Sequence, residues 1–151
     1  MIADSRLIKA VTGRKVLIDS NIIIYLIDLV EPYQRLAKLL FRMVEAGDVF
    51  ALISILSLSE VMQGPIKNNR NTLALELKDY LLNFPNCLCQ EITLPVLEKV
   101  GSDGSIRWNG LRTIDSLIVA SGLANDVDLF VSNDRHFQNA LPPKMILTLE
   151  P

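Results

Sequence analysis

The chain has 151 residues, of which 50% are hydrophobic and 21% charged. That is enough apolar material for a buried core without disulfide or metal staples, and too much for a disordered chain. A formal net charge of −2 and a pI near 5.4 exclude an ordinary basic nucleic-acid-binding module, unless clustered carboxylates hold divalent ions that reverse the local sign.

Residues 1–14 read as a short amphipathic helix with Leu7, Ile8 and Val11 on one side, ending at Gly13 and packing on the domain or in a subunit contact. They contain no signal-peptide core, which gives the expectation of a cytoplasmic protein. Val16, Leu17 and Ile18 form an unbroken apolar run, as in a strand buried on both faces, and Asp19 ends it. A helical segment follows to about Leu29. The apolar region 16–30 is interrupted by Asp19, Asn21 and Asp28, so it is too broken to span a bilayer.

A second helix is predicted from about Tyr33 to Gly47, then a second apolar strand over Val49 to Ile55. Ser57 is expected to open the next helix, which contains Glu60 and ends near Gly64-Pro65. After a polar link, Leu73, Leu77, Tyr80, Leu81 and Phe84 mark another helix. A third strand falls near Leu88 to Ile92, and Cys87 and Cys89 read as reduced, half-buried residues beside it. They lie too close for an easy mutual disulfide and lack the second pair of a zinc site. Pro95 starts a short helix, and 101–112 is the longest loop, with Trp108 as a partly buried anchor. Helix 113–124 turns Ile114, Leu117 and Ile118 inward; strand 128–132, a short helix to Asn139 and a strand over Met145 to Leu149 complete the chain. Strands alternating with helices predict one α/β domain over 1–151, a mostly parallel sheet of about five strands with helices on both faces.

Four carboxylates stand out against that frame. Asp19, Glu60 and Asp134 follow the C-terminal ends of predicted strands, and Asp115 lies in the first turn of the helix leading to the fourth. Each alone is explained as a turn or cap: Ser57 to Glu60 fits a capping box, Asp115 suits a helix dipole, and Asp134 suits an N-cap. Capping does not explain why all four arrive at one sheet edge. Carboxylates meeting there repel unless cations compensate, and an oxygen-only donor set suits Mg²⁺ or Mn²⁺.

The segments VLIDSNIIIYLID at 16–28, ISILSLSEV at 53–61, RTIDSLIVASGLAND at 112–126 and LFVSNDRHF at 129–137 resemble a PIN-domain ribonuclease. In size the chain is similar to the VapC toxins of toxin–antitoxin pairs. The resemblance implies a metal-dependent endoribonuclease acting on single-stranded RNA, with Asp19, Glu60, Asp115 and Asp134 around one or two Mg²⁺ or Mn²⁺ ions. It implies a supporting role for Asn21, and for Ser132 and Asn133 in the Ser-Asn-Asp that stands where family members often carry Thr-Asn-Asp. It also implies a homodimer and an antitoxin partner; the interrupted apolar region gives the expectation of no membrane association. Lys67, Arg70, Arg107, Arg112 and Arg135 are the cations that the topology brings to the same side for RNA. The single histidine, His136, reads as a surface or packing residue. The alternative reading is a non-catalytic PIN-like scaffold that binds RNA or protein. A receiver domain is disfavoured because Asp19 has no acidic neighbour in sequence, and a dinucleotide fold because its glycine fingerprint is missing.

Overall fold

The computed structural model describes residues 1–150; residue 151, the end of the expected domain, lies outside the described residues. Five strands, β1 (Lys15–Ile18), β2 (Phe50–Ser54), β3 (Cys87–Gln90), β4 (Leu129–Val131) and β5 (Ile146–Leu147), form one sheet in the order β3-β2-β1-β4-β5. Every pairing is parallel, with Val16 beside Ala51 on one flank and Leu129 on the other. Connections run outward from β1 in both directions, so its C-terminal end beside β4 is the switch point where a cleft opens.

The apolar runs are unbroken because both sheet faces are covered. Val16, Ile18, Ala51, Ile53 and Val131 pack into one core under α1 (Asp4–Val11), α2 (Ser20–Ile27) and α3 (Gln34–Glu45). The alternate residues Leu17, Leu52 and Phe130 face a second core with Ile118 and Val119 of α7 (Thr113–Ala124) and Phe137 of α8 (Arg135–Ala140). Helices α4 (Ile55–Lys67) and α5 (Asn71–Leu82) add Leu58, Val61 and Leu81 to the first core; the short α6 (Leu94–Leu97) packs on α7. Gly122 of α7 sits where an added Cβ would come 2.5 Å from the Phe130 ring, so its lack of a side chain sets the close approach of helix to sheet.

The N-terminal helix packs on the domain. Leu7 and Val11 are fully buried, the Ile2 amide donates to the Leu149 carbonyl at 2.8 Å, and Gly13 turns the chain at φ +73°. Ile8, expected on the same side as Leu7, is instead exposed. Cys87 and Cys89 are free, half-buried strand residues. Trp108 anchors its loop by donating Nε1–H to the Asp103 carbonyl at 2.9 Å.

Three local expectations are corrected. Helix α4 starts at Ile55 with Ser54 as its cap, the Leu56 amide donating to Ser54 Oγ at 3.2 Å. Ser57 is therefore buried inside the first turn and Glu60 takes no part in a capping box. The helix also continues through Pro65 to Lys67. Gly64, having no Cβ, relieves part of the clash that a proline imposes on the residue before it. Ile114 is exposed, because α7 buries Asp115, Ile118, Val119 and Gly122, a face about a quarter-turn away.

Candidate active site

Asp19 is the residue after β1 and the N-cap of α2, and it is buried at the switch point. Its Oδ1 accepts from the Ser20 amide at 2.8 Å. Its Oδ2 accepts from the Ser132 hydroxyl at 2.6 Å and from Asn21 Nδ2 at 3.3 Å. Ser132 follows β4, so this contact ties together the ends of the two central strands. The Ser132 oxygen in turn accepts from the Asp134 amide at 3.0 Å.

Asp134 caps α8, accepting from the His136 amide at 2.7 Å, with the His136 ring nitrogen Nδ1 3.0 Å from the same Oδ1. Its other oxygen, Oδ2, lies 3.3 Å from Nη2 of Arg112. The Arg112 guanidinium also grips Asp115, donating from Nε to Oδ2 at 2.8 Å and from Nη2 to Oδ1 at 3.0 Å. The Arg112 amide also donates to Asp115 Oδ2 at 3.1 Å. Glu60 joins from α4 through Ser20, whose hydroxyl donates to Oε2 at 3.3 Å. Hydrogen bonds thus link all four expected carboxylates at one edge of the sheet, with Ser20, Ser132 and Arg112 as the links.

The electrostatics follow from crowding and burial. Desolvation pushes the Asp19 carboxyl up to about 6 despite its hydrogen bonds to Ser132 and Ser20, and the charges of Glu60 and Asp134 add to the rise. Burial likewise raises Glu60, with the charges of Asp115 and Asp134 acting in the same direction and Ser20 and Arg112 opposing them. The guanidinium of Arg112 is held protonated more firmly than usual by its hydrogen bonds to Asp115 and by the surrounding negative charge. An oxygen donor set with two buried members, Asp19 and Asp115, and two that reach solvent, Glu60 and Asp134, fits a hard divalent cation. Among the described residues no three Asp, Glu, His or Cys side chains yet converge to enclose one, and the Arg112 guanidinium spans Asp115 and Asp134.

Asn21 also donates to Ser132 Oγ at 3.3 Å and accepts the Asn133 amide at 3.3 Å. Asn133 turns away from the carboxylates, donating to the Tyr25 hydroxyl at 3.3 Å and accepting the Leu149 amide at 2.7 Å. Arg70 lines a cleft of about 120 Å³ together with Glu60, Asp28 and Asn68. Lys67, Arg107 and Arg135 are exposed and make no ion pair with the four carboxylates among the described residues. Ser20, the bridge from Asp19 to Glu60, reads in sequence only as a cap. Its position directly after Asp19 was the available signal. The three-residue spacing of Arg112 and Asp115 was likewise the signal of their pairing.

The four carboxylates thus meet at the switch-point edge of a parallel α/β sheet, and the PIN domain model matches residues 16–140. The chain belongs to the PIN domain family. No curated protein matches it in sequence. Its fold is similar to VapBC2 from Rickettsia felis bound to a promoter DNA fragment, at 17% identity and TM-score 0.63 over 90% of this chain and 99% of that one. It is similar to a toxin–antitoxin complex from Klebsiella pneumoniae, at 20% identity and TM-score 0.61 over 88% and 96% of the two chains. A third similar structure is VapC20 of Mycobacterium tuberculosis, a sarcin-ricin loop cleaving toxin, at 12% identity and TM-score 0.61 over 82% and 93%.

Proposed function

We propose that the chain is a divalent-metal-dependent endoribonuclease that hydrolyses phosphodiester bonds in single-stranded RNA, as the toxin of a toxin–antitoxin pair. The observation that carries this reading is the hydrogen-bonded set Asp19, Glu60, Asp115 and Asp134 at the β1–β4 switch point, with Asp19 buried and short of compensating positive charge. Membership of the PIN domain family supports it, as does likeness in fold to a sarcin-ricin loop cleaving toxin.

The four carboxylates would hold one or two Mg²⁺ or Mn²⁺ ions. A bound ion of this kind supplies activation of water and neutralisation of charge at the scissile phosphate. Asp19 is fixed in orientation by Ser20 on Oδ1 and by Ser132 and Asn21 on Oδ2, which leaves Oδ1 with a lone pair free for a cation. With its carboxyl raised only to about 6, Asp19 is ionised above neutral pH. Asn133 acts at one remove, pinning the turn after β4 to Tyr25 and Leu149. His136 is not required as a nucleophile or base in this chemistry.

Arg112, in contact with Asp115 and Asp134, is the expected RNA-contacting cation nearest the carboxylates; Arg70 would act from the neighbouring cleft it shares with Glu60, and Lys67, Arg107 and Arg135 would contribute charge from the surface. We read residues 1–151 as one domain that acts as a homodimer with an antitoxin partner; the toxin–antitoxin complexes of similar fold support that partner. No helix of the described residues is long and apolar enough to cross a membrane.

The test is cleavage of mixed-sequence single-stranded RNA by pure protein with Mg²⁺, Mn²⁺ or EDTA, beside Asp19→Asn and Asp115→Asn. Cleavage that needs metal and is lost in both variants is expected. Equal cutting by wild type and variants would sink the assignment.

A further inference from the structure

We propose that Arg112 is a resident cation of the acidic cleft, which a divalent ion must displace from Asp115 and Asp134 before the site can fill. This rests on the metal-site reading above and adds a step to it: loading is an exchange of cations.

The contacts are specific. Nε and Nη2 of Arg112 bind the two oxygens of Asp115 side-on at 2.8 and 3.0 Å, and Nη2 reaches on to Asp134 Oδ2 at 3.3 Å. Both oxygens of one expected ligand and one oxygen of another are therefore already engaged. The Asp115 side chain is 3% exposed, and Arg112 is its only side-chain partner among the described residues. A buried carboxylate kept ionised without a counter-charge is costly, and Arg112 supplies that charge to Asp115 in the metal-free chain.

Arg112 is suited to leaving. Its side chain is 61% exposed, and its hydrogen bonds go only to these carboxylates. Its departure breaks charge-assisted contacts and disturbs no packed core. Its backbone amide stays on Asp115 Oδ2, so the start of α7 need not unravel when the guanidinium swings away. The competing role is that of a plain anchor for α7, in which case the ion pair would persist when metal binds.

The two are separated by titrating Mn²⁺ into the metal-free full chain, followed by calorimetry and by the spin-resonance signal of free Mn²⁺. Arg112→Gln is expected to bind Mn²⁺ about tenfold more tightly than wild type, since no bidentate charge-assisted pair has to be broken first. Without metal it should melt below wild type, and Mn²⁺ should remove the difference. Arg112→Lys should fall between them, because one ammonium cannot span both Asp115 oxygens; it carries the test if the glutamine variant does not fold. In wild type, the Arg112 Nε–H resonance should move towards the position of a free arginine as Mg²⁺ is added. Equal or weaker Mn²⁺ binding by the variants, or an Nε–H resonance indifferent to Mg²⁺ that does bind, would overturn the exchange while leaving the metal site standing. Failure of wild type and variants alike to bind Mn²⁺ would remove the metal-site reading, and the exchange with it.

Discussion

The Ser132 hydroxyl donates to Asp19 Oδ2 at 2.6 Å, joining the ends of two central parallel strands by one buried hydrogen bond. The same oxygen accepts from the Asp134 amide and from Asn21, so one small side chain sets the spacing of two acidic residues. Ser132→Ala leaves the Asp19 oxygen with only the longer Asn21 contact. It is expected to cost about 1–3 kcal/mol in stability and to slow RNA cleavage by at least about tenfold. Ser132→Thr, which keeps the hydroxyl, should retain most of both. Thermal unfolding and single-turnover cleavage rates check this together.

Asp19 makes stability depend on pH in an unusual direction. Its carboxyl is raised to about 6, chiefly by burial. Between about pH 4, where an unfolded aspartate ionises, and about 6, the folded chain keeps a proton that the unfolded chain has released. Stability of the metal-free protein from this group therefore falls as pH climbs through that window, by about 2–3 kcal/mol at most. Asp19→Asn should remove that fall. Melting curves in EDTA from pH 4 to pH 7 for the two proteins should converge at the acid end, apart from a constant offset, and separate as pH rises.

Ser57 carries the one buried side-chain oxygen without a hydrogen-bond partner among the described residues. Ser57→Ala removes an unsatisfied hydroxyl from the interior of α4 and places the best helix former there. A gain of about 1 kcal/mol is expected, readable as a melting temperature higher by about 2–4 °C. A loss of stability would indicate that the hydroxyl has a partner, such as an ordered water.

Arg70 borders the cleft that Glu60 enters. If RNA lies there, Arg70→Ala should weaken binding evenly across sequences and reduce the slope of log affinity against log salt by about 0.7, the share of one phosphate contact on a single strand. Exposed Lys9, on the N-terminal helix, is the control; Lys9→Ala should leave the slope unchanged.

How much of this was legible in the sequence depends on how local the signal is. Val16 to Ile18 declared a strand covered on both faces, and α7 fell over 113–124 as its pattern implied. The parallel α/β sheet followed from the alternation of elements. Ser57, by contrast, reads as a cap, but the helix starts directly after β2 and Ser54 takes that role, accepting from the Leu56 amide. Pro65 reads as a stop, yet the helix runs on to Lys67, a step eased by the glycine before it, which has no Cβ to meet the proline ring. The four carboxylates could be placed at one edge from topology. Their links could not: Ser20 and Ser132 are ordinary turn residues in sequence, and Arg112 resembles any surface cation until its guanidinium is seen turned onto Asp115 and Asp134.

The central claim is that these residues direct water, with a divalent ion, at a phosphodiester bond. It is tested most directly by the end groups left on a labelled single-stranded RNA after incubation with Mn²⁺. Attack by water leaves ordinary phosphate and hydroxyl ends with no cyclic product, and the account expects those ends, their formation abolished by EDTA and by Asp19→Asn. Cyclic 2′,3′-phosphate ends that form equally in EDTA would mean that the RNA's own 2′-hydroxyl is the nucleophile, and would contradict it.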